Sequence, residues 1–227
     1  MIERFDTPET LADAAAEATV LALAGGIAAR GRGRLVVTGG RSPGAVYDRL
    51  AKAELDWGLV DVTLSDERFV AVTDAASNER LVRSRLLTGK TAAARFVPLM
   101  REAPSAAAAA DLAEAEVAAL APFDMTLLGM GPDGHVASLI PGAAGLEAAM
   151  APGGGRFCRG FDQAIGDPPR PRITLTLAAL LQSQAIIILI AGPEKHGVVE
   201  RAQAGADLPV RALLTQSTVP VRVLWTP

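Results

Sequence analysis

Apolar and polar positions along the chain fall into two alternating kinds of segment. Short continuous apolar runs at residues 35–37 and 186–191, and the largely apolar residues 125–130, have the length and character of strands buried on both faces. Residues 60–64, 96–98, 173–176 and 221–225 supply further short strands. Longer stretches of helical composition lie between them. Thr7-Pro8 reads as an N-cap followed by proline in the first turn, opening a helix that ends near residues 31–33. Helices are also expected over 43–54, 77–87, 105–120 and 194–204. The third of these is alanine-rich, with Asp111, Glu114 and Glu116 as its polar positions. Residues 151–155 read as a loop, and 167–171, with three prolines, as extended. Strands alternating with helices predict an α/β fold: an open, mainly parallel sheet with helices on both faces, Rossmann-like in layout. No internal repeat or linker interrupts it, so residues 1–227 are expected to form a single domain. In such sheets a ligand sits at the carboxyl ends of the strands, where the strand order reverses.

Composition narrows this picture. Half of the 227 residues are hydrophobic, enough for a sizeable core. Cys158 is the only cysteine, which excludes an intramolecular disulfide and fits a reducing compartment. The first six residues hold no basic segment leading into an apolar one, so no signal peptide is expected. The longest purely apolar run, 185–191, is far short of the ~20 residues that cross a bilayer. The expectation is therefore a cytoplasmic protein without a membrane partner. Lysines and arginines are scattered and the net charge is −3, so a nucleic acid is not an expected partner, whereas a small anion is compatible.

Four segments that follow strands carry candidate chemistry. In Gly39-Gly40-Arg41-Ser42-Pro43 the glycines let backbone approach a ligand, and Ser42 and Pro43 have the pattern of a helix start, where free N–H groups suit a phosphate. An ordinary strand-to-helix turn explains the same residues equally well. Asp66-Glu67-Arg68, followed by Ser77-Asn78, is either a solvated charged face, the better reading from these residues alone, or part of a site. Gly129-Met130-Gly131-Pro132-Asp133-Gly134-His135 matches G-x-G-x-x-G, but residues 135–142 stop within about two turns, which does not suit a dinucleotide-binding helix. The alternative is a rigid loop presenting Asp133 and His135, the latter as a general base with an ordinary pKa of ~6.5. Gly192-Pro193-Glu194-Lys195-His196 places Lys195 in a first helical turn, where a bound anion relieves its opposition to the dipole. His196 is read as structural. Two closely spaced histidines are lacking, so no metal site is apparent, and there is no G-x-S-x-G elbow.

Together these segments resemble the 6-phosphogluconolactonase family. The resemblance rests on residues 38–43, 65–70, 77–78, 128–142, 171–176 and 192–195, in the family's order, and is most specific around His135. Arg41-Ser42 stands where many relatives carry Ser-Thr, and Pro132 where many are acidic. The resemblance implies a fold shared with glucosamine-6-phosphate deaminases and cofactor-free hydrolysis of a sugar-phosphate lactone in the oxidative pentose phosphate pathway. It implies His135 as base, with Asp133 as a candidate to orient it, and Arg68 and Lys195, with Arg172, near the phosphate. Gly39, Gly40, Arg41, Ser42, Asp66, Asn78 and Gly131 complete the expected substrate contacts. A monomer or weak homo-oligomer is expected. Deaminase chemistry is the runner-up. It typically needs an Asn-Glu-Pro segment after the histidine, and residues 138–141 offer no carboxylate. A non-catalytic sugar-phosphate sensor is a remote third.

Overall fold

A computed structural model describes residues 2–227. In chain order its elements are β1 (Ile2–Arg4), α1 (Pro8–Arg30), β2 (Gly33–Val37), α2 (Gly44–Leu50), β3 (Val60–Leu64), β4 (Asp66–Arg68), α3 (Asn78–Arg85), β5 (Arg95–Val97), α4 (Ala106–Ala118) and β6 (Met125–Gly129). There follow α5 (Leu146–Ala149), β7 (Cys158–Ile165), β8 (Arg170–Leu175), α6 (Leu177–Leu180), β9 (Ile186–Ala191), α7 (Pro193–Gln203), α8 (Arg211–Thr215) and β10 (Val221–Thr226).

Seven strands pair in the order β1-β10-β9-β6-β2-β3-β5, every neighbouring pair parallel. Successive residues of a strand point to opposite faces, and all five residues of β3 are buried. The sheet is therefore covered on both sides, and continuous apolar runs build it for that reason. From β2 the chain moves outward to β3 and β5. It then returns to the other side of β2 with β6 and continues to β9 and β10. The reversal lies between β2 and β6, so their carboxyl ends open a crevice.

A second, antiparallel sheet, β4-β8-β7, closes one side of that crevice. Ser65 alone separates β3 from β4. Its N–H donates to Val37 O at 2.7 Å and its carbonyl accepts from Leu175 N at 2.8 Å, so one residue belongs to the bonding of both sheets. The charged triplet thus forms a strand of its own rather than a loop, with Asp66 opposite Thr174 and Arg68 opposite Arg172.

Helix α1 begins at the Thr7 cap, which accepts from Thr10 N at 3.2 Å, and ends at left-handed Gly31. Its 23 residues are long and apolar enough to cross a membrane, which a count of uninterrupted apolar residues does not reveal. In the fold, however, Leu11, Ala15 and Leu23 are buried where the helix packs on α2, β2 and β10.

Several boundaries differ from the sequence reading. Helix α2 spans Gly44–Leu50, not 43–54. Pro43 occupies the cap position and no side chain caps the helix, so Ser42 is not an N-cap. Lys52 N and Ala53 N close short turns onto Arg49 O and Leu50 O, which ends the helix. Residues 167–169 form a turn rather than an extended segment, and only Arg170 and Pro171 join β8. Strand β8 stops at Leu175 because the Thr176 hydroxyl turns to cap α6, accepting from Ala179 N at 3.1 Å. After His135 no helical turn forms; Val136 bridges to Met130 and Leu139 instead.

Candidate active site

The crevice holds a cavity of about 300 Å³. Gly39, Gly40, Arg41 and Ser42 reach it from β2, Asp66 and Arg68 from β4, and Asn78 from the start of α3. Gly131 and His135 follow β6, Arg172 lies on β8, and Lys195 follows β9. Every candidate from the sequence lines this one cavity except Asp133, which reaches it through His135.

The histidine loop is tightly closed. Gly131 N donates to His135 O at 2.9 Å, and Gly134 N donates to Gly131 O at 3.1 Å. Gly134 has φ +79°, a conformation that favours glycine. From outside, Val210 N donates to Gly134 O at 2.9 Å. Asp133 Oδ1 lies 2.5 Å from His135 Nδ1 and also accepts His135 N–H at 3.2 Å. A carboxylate only accepts, so Nδ1 carries a proton, and in the neutral ring Nε2 is the nitrogen with the lone pair. The hydrogen bond from His135 is the main cause that holds the Asp133 carboxyl below its usual pKa range, against the raising effect of burial. Gly131 leaves room for the ring: a methyl there would overlap His135 Cε1 and Nδ1.

Four cations, Arg41, Arg68, Arg172 and Lys195, face the cavity, and among the described residues none is ion-paired with a carboxylate. Arg172 is fixed by Ile165 O at 3.2 Å and Pro168 O at 2.9 Å. Arg68 donates from Nη1 to Ala76 O at 2.6 Å, while its buried Nε has no partner. Burial, and then the charge of Arg41, push the Lys195 ammonium below its usual pKa. Unpaired, partly desolvated cations converging on one cavity are the electrostatic signature of an anion site.

The Asp66-Glu67-Arg68 segment is not a solvated face. Glu67 is 1% exposed. Its Oε1 accepts from Arg68 N at 2.7 Å and Asn78 N at 2.8 Å, and its Oε2 from Glu79 N at 2.7 Å and Ser77 Oγ at 3.0 Å. This buried carboxylate clamps β4 to the start of α3. Burial is the largest influence on it and pushes its pKa up, opposed by those hydrogen bonds. Asn78 in turn donates from Nδ2 to Asp66 O at 2.8 Å and fills the space beside Gly39 that a Cβ would need.

Other contributors were given no role from sequence. Thr38, Pro132, Ala137 and Asp167 also line the cavity. Tyr47, fully buried, accepts Thr38 N–H at 3.0 Å and donates back to Thr38 O, which fixes the entry to the glycine loop. Ala137 is the one non-glycine described with positive φ, +51°. Thr38, Pro132 and Ala137 fall inside the quoted motifs; nothing in the sequence marks Tyr47. His196 packs on Trp225 with ring centroids 4.4 Å apart, in keeping with a structural role. Among the described residues no cluster of three or more His, Cys, Asp and Glu side chains is placed to hold a metal ion.

A family model described as Glucosamine-6-phosphate isomerases/6-phosphogluconolactonase matches residues 6–225. A 6-phosphogluconolactonase of Caulobacter vibrioides is 43% identical over 224 residues, covering 99% of this chain and 96% of the relative. One from Rhizobium meliloti is 41% identical, covering 98% and 97%. The crystal structure of a 6-phosphogluconolactonase from Shewanella baltica superposes with a TM-score of 0.93 at 36% identity, covering 100% of this chain and 97% of that one. The chain therefore belongs to the family of glucosamine-6-phosphate isomerases and 6-phosphogluconolactonases.

Proposed function

We propose that this protein hydrolyses 6-phospho-D-glucono-1,5-lactone to 6-phosphogluconate, the lactone-opening step of the oxidative pentose phosphate pathway, without a cofactor. The observation that carries the reading is the 2.5 Å contact between His135 Nδ1 and Asp133, which frees Nε2 in a cavity faced by four unpaired cations. Nε2 takes a proton from water as the water oxygen attacks the lactone carbonyl carbon. Asp133 holds the tautomer and balances the imidazolium that forms. Backbone N–H groups of the glycine loops are the donors available for the oxyanion. The tetrahedral intermediate then collapses, the bond from carbon to ring oxygen breaks, and His135 returns its proton to that oxygen. Arg68 and Lys195, with Arg172, take the phosphate, and Gly39, Gly40, Arg41, Ser42, Asp66, Asn78 and Gly131 surround the ring. The reading carries with it a single-domain cytoplasmic enzyme, working as a monomer or weak homo-oligomer.

The test is turnover of freshly prepared lactone by purified protein, corrected for spontaneous opening. General-base catalysis contributes about 10²- to 10⁴-fold, and His135→Ala should lose that much in kcat with a modest change in KM. A folded variant that keeps wild-type turnover would remove His135 from the mechanism. Glucosamine 6-phosphate should release no ammonia at a catalytic rate, since residues 138–141 bring no carboxylate to the cavity.

A further inference from the structure

Asp66 is a buried carboxylate that, with Asp167, lines a cavity faced by four cations, and among the described residues it forms no ion pair with them. It would repel a phosphate, so its partner on a sugar phosphate is a hydrogen-bond donor. Its position is set by two serines, each committing its single hydroxyl proton: Ser138 donates to Oδ2 at 2.6 Å and Ser65 to Oδ1 at 3.1 Å. Ser138 is itself completely buried, and its N–H donates to the hydroxyl of Thr174 at 3.1 Å. Thr174 is the residue opposite Asp66 across the β4–β8 pairing. Ser138 therefore bridges both members of one cross-strand pair, three residues after His135. The bend that brings it there runs through Ala137 at φ +51°, a strained conformation sustained by these bonds.

We propose that Ser138 is a positioning residue that aims the Asp66 carboxylate at a ring hydroxyl of the substrate, tying hydroxyl recognition to the loop that carries His135. This rests on the lactonase reading above. The carboxylate has about four acceptor sites, and the serines occupy two, which leaves capacity for a substrate hydroxyl. Without Ser138 the carboxylate keeps only the Ser65 hydroxyl as a side-chain donor and is free to turn away from that hydroxyl toward Arg172, which lines the same cavity.

The experiment compares kcat/KM for the parent lactone and for 6-phospholactones lacking the hydroxyl at C2 or at C3. Wild type should disfavour one of the deoxy lactones by about ten- to a hundredfold, the worth of a hydrogen bond to a charged group. Ser138→Ala should lose a similar factor on the parent and little on that deoxy lactone, so the discrimination collapses. In an Asp66→Asn background the same substitution should add less than about twofold. Thermal unfolding checks the fold. If Ser138→Ala does not fold, Ser138→Cys, close in size and a weak donor, takes its place. Equal losses on all lactones, or full additivity with Asp66→Asn, would overturn the role of Ser138. A wild type that opens no lactone overturns the lactonase reading itself, and this inference with it.

Discussion

One methyl group at position 131 separates two kinds of damage. In Gly131→Ala the new Cβ overlaps the imidazole edge and comes within 2.6 Å of Asp133 Oδ1, so the ring must leave its bond to Asp133. The backbone there needs no positive φ, and the fold should survive. We expect kcat to fall by about a hundredfold or more, approaching the loss of the base itself, with the unfolding temperature nearly unchanged. A large drop in that temperature instead would mean that the loop, not the ring, fails. The residues whose chemistry is local were legible in the sequence. His135 and Asp133 stand in a glycine-marked loop and Lys195 in a first helical turn, each directly after an apolar strand, and that setting together with the family resemblance points to them. Glu67, Tyr47 and Ser138 were not, because what each does depends on partners remote in sequence. Glu67 matters through Asn78 and Glu79, and Ser138 through Asp66 and Thr174. Arg68 was legible as a charge, but its setting in a strand clamped by a buried carboxylate was not.

At the scale of elements, burial decides what a sequence shows. β2 and β9 are read easily because consecutive apolar residues leave little alternative, and β3 and β6 because apolar residues dominate a short segment. β1 has only three residues, and β7, whose last four positions are all open or half-open to solvent, lacks the clean alternation that marks a one-sided strand. The one-turn helices α5 and α6 are too short to set up a period. Helix α1 is legible, but the way it is anchored to the sheet is not. Gly26 brings it against Asp124, which pairs with Arg30 and accepts Arg34 N–H at 2.8 Å. The bond to Arg34 fixes the start of β2, the strand that feeds the glycine loop. Asp124→Ala strands a backbone donor at that point, and the loss should be about 1–3 kcal/mol. For a chain of this length that lowers the unfolding temperature by about 2–12 °C. Calorimetry checks this, and an unchanged temperature would show that water replaces Asp124 without cost.

For the whole molecule, the notable arrangement is a cation-rich cavity in a chain of net charge −3. The four cations come from four separate segments of the chain: Arg41 and Lys195 follow strands of the parallel sheet, and Arg68 and Arg172 face each other across the β4–β8 pairing. Lys195→Ala should cost about ten- to a hundredfold in kcat/KM on the phosphorylated lactone and little on plain gluconolactone. Equal losses on both would assign Lys195 to the chemistry or to folding. The sign of its pKa shift adds a second expectation. A lysine held below 10.5 loses its charge at lower pH than a free one, so affinity for 6-phosphogluconate should begin to weaken on the alkaline side before ordinary lysines titrate. Titration calorimetry from pH 7 to 10 reads this directly, and flat affinity across that range would contradict it. The same topology governs how the molecule is made. A nascent chain leaves the ribosome amino end first, yet β1 pairs only with β10, Ile2 beside Val223. The earliest strand thus waits for the latest, while β2, β3 and β6 can assemble in the interval. β9 and the helical turn bearing Lys195 also arrive late, so during synthesis the histidine loop exists before the cavity has its full charge, and a chain translated short of residue 195 lacks a residue of the site.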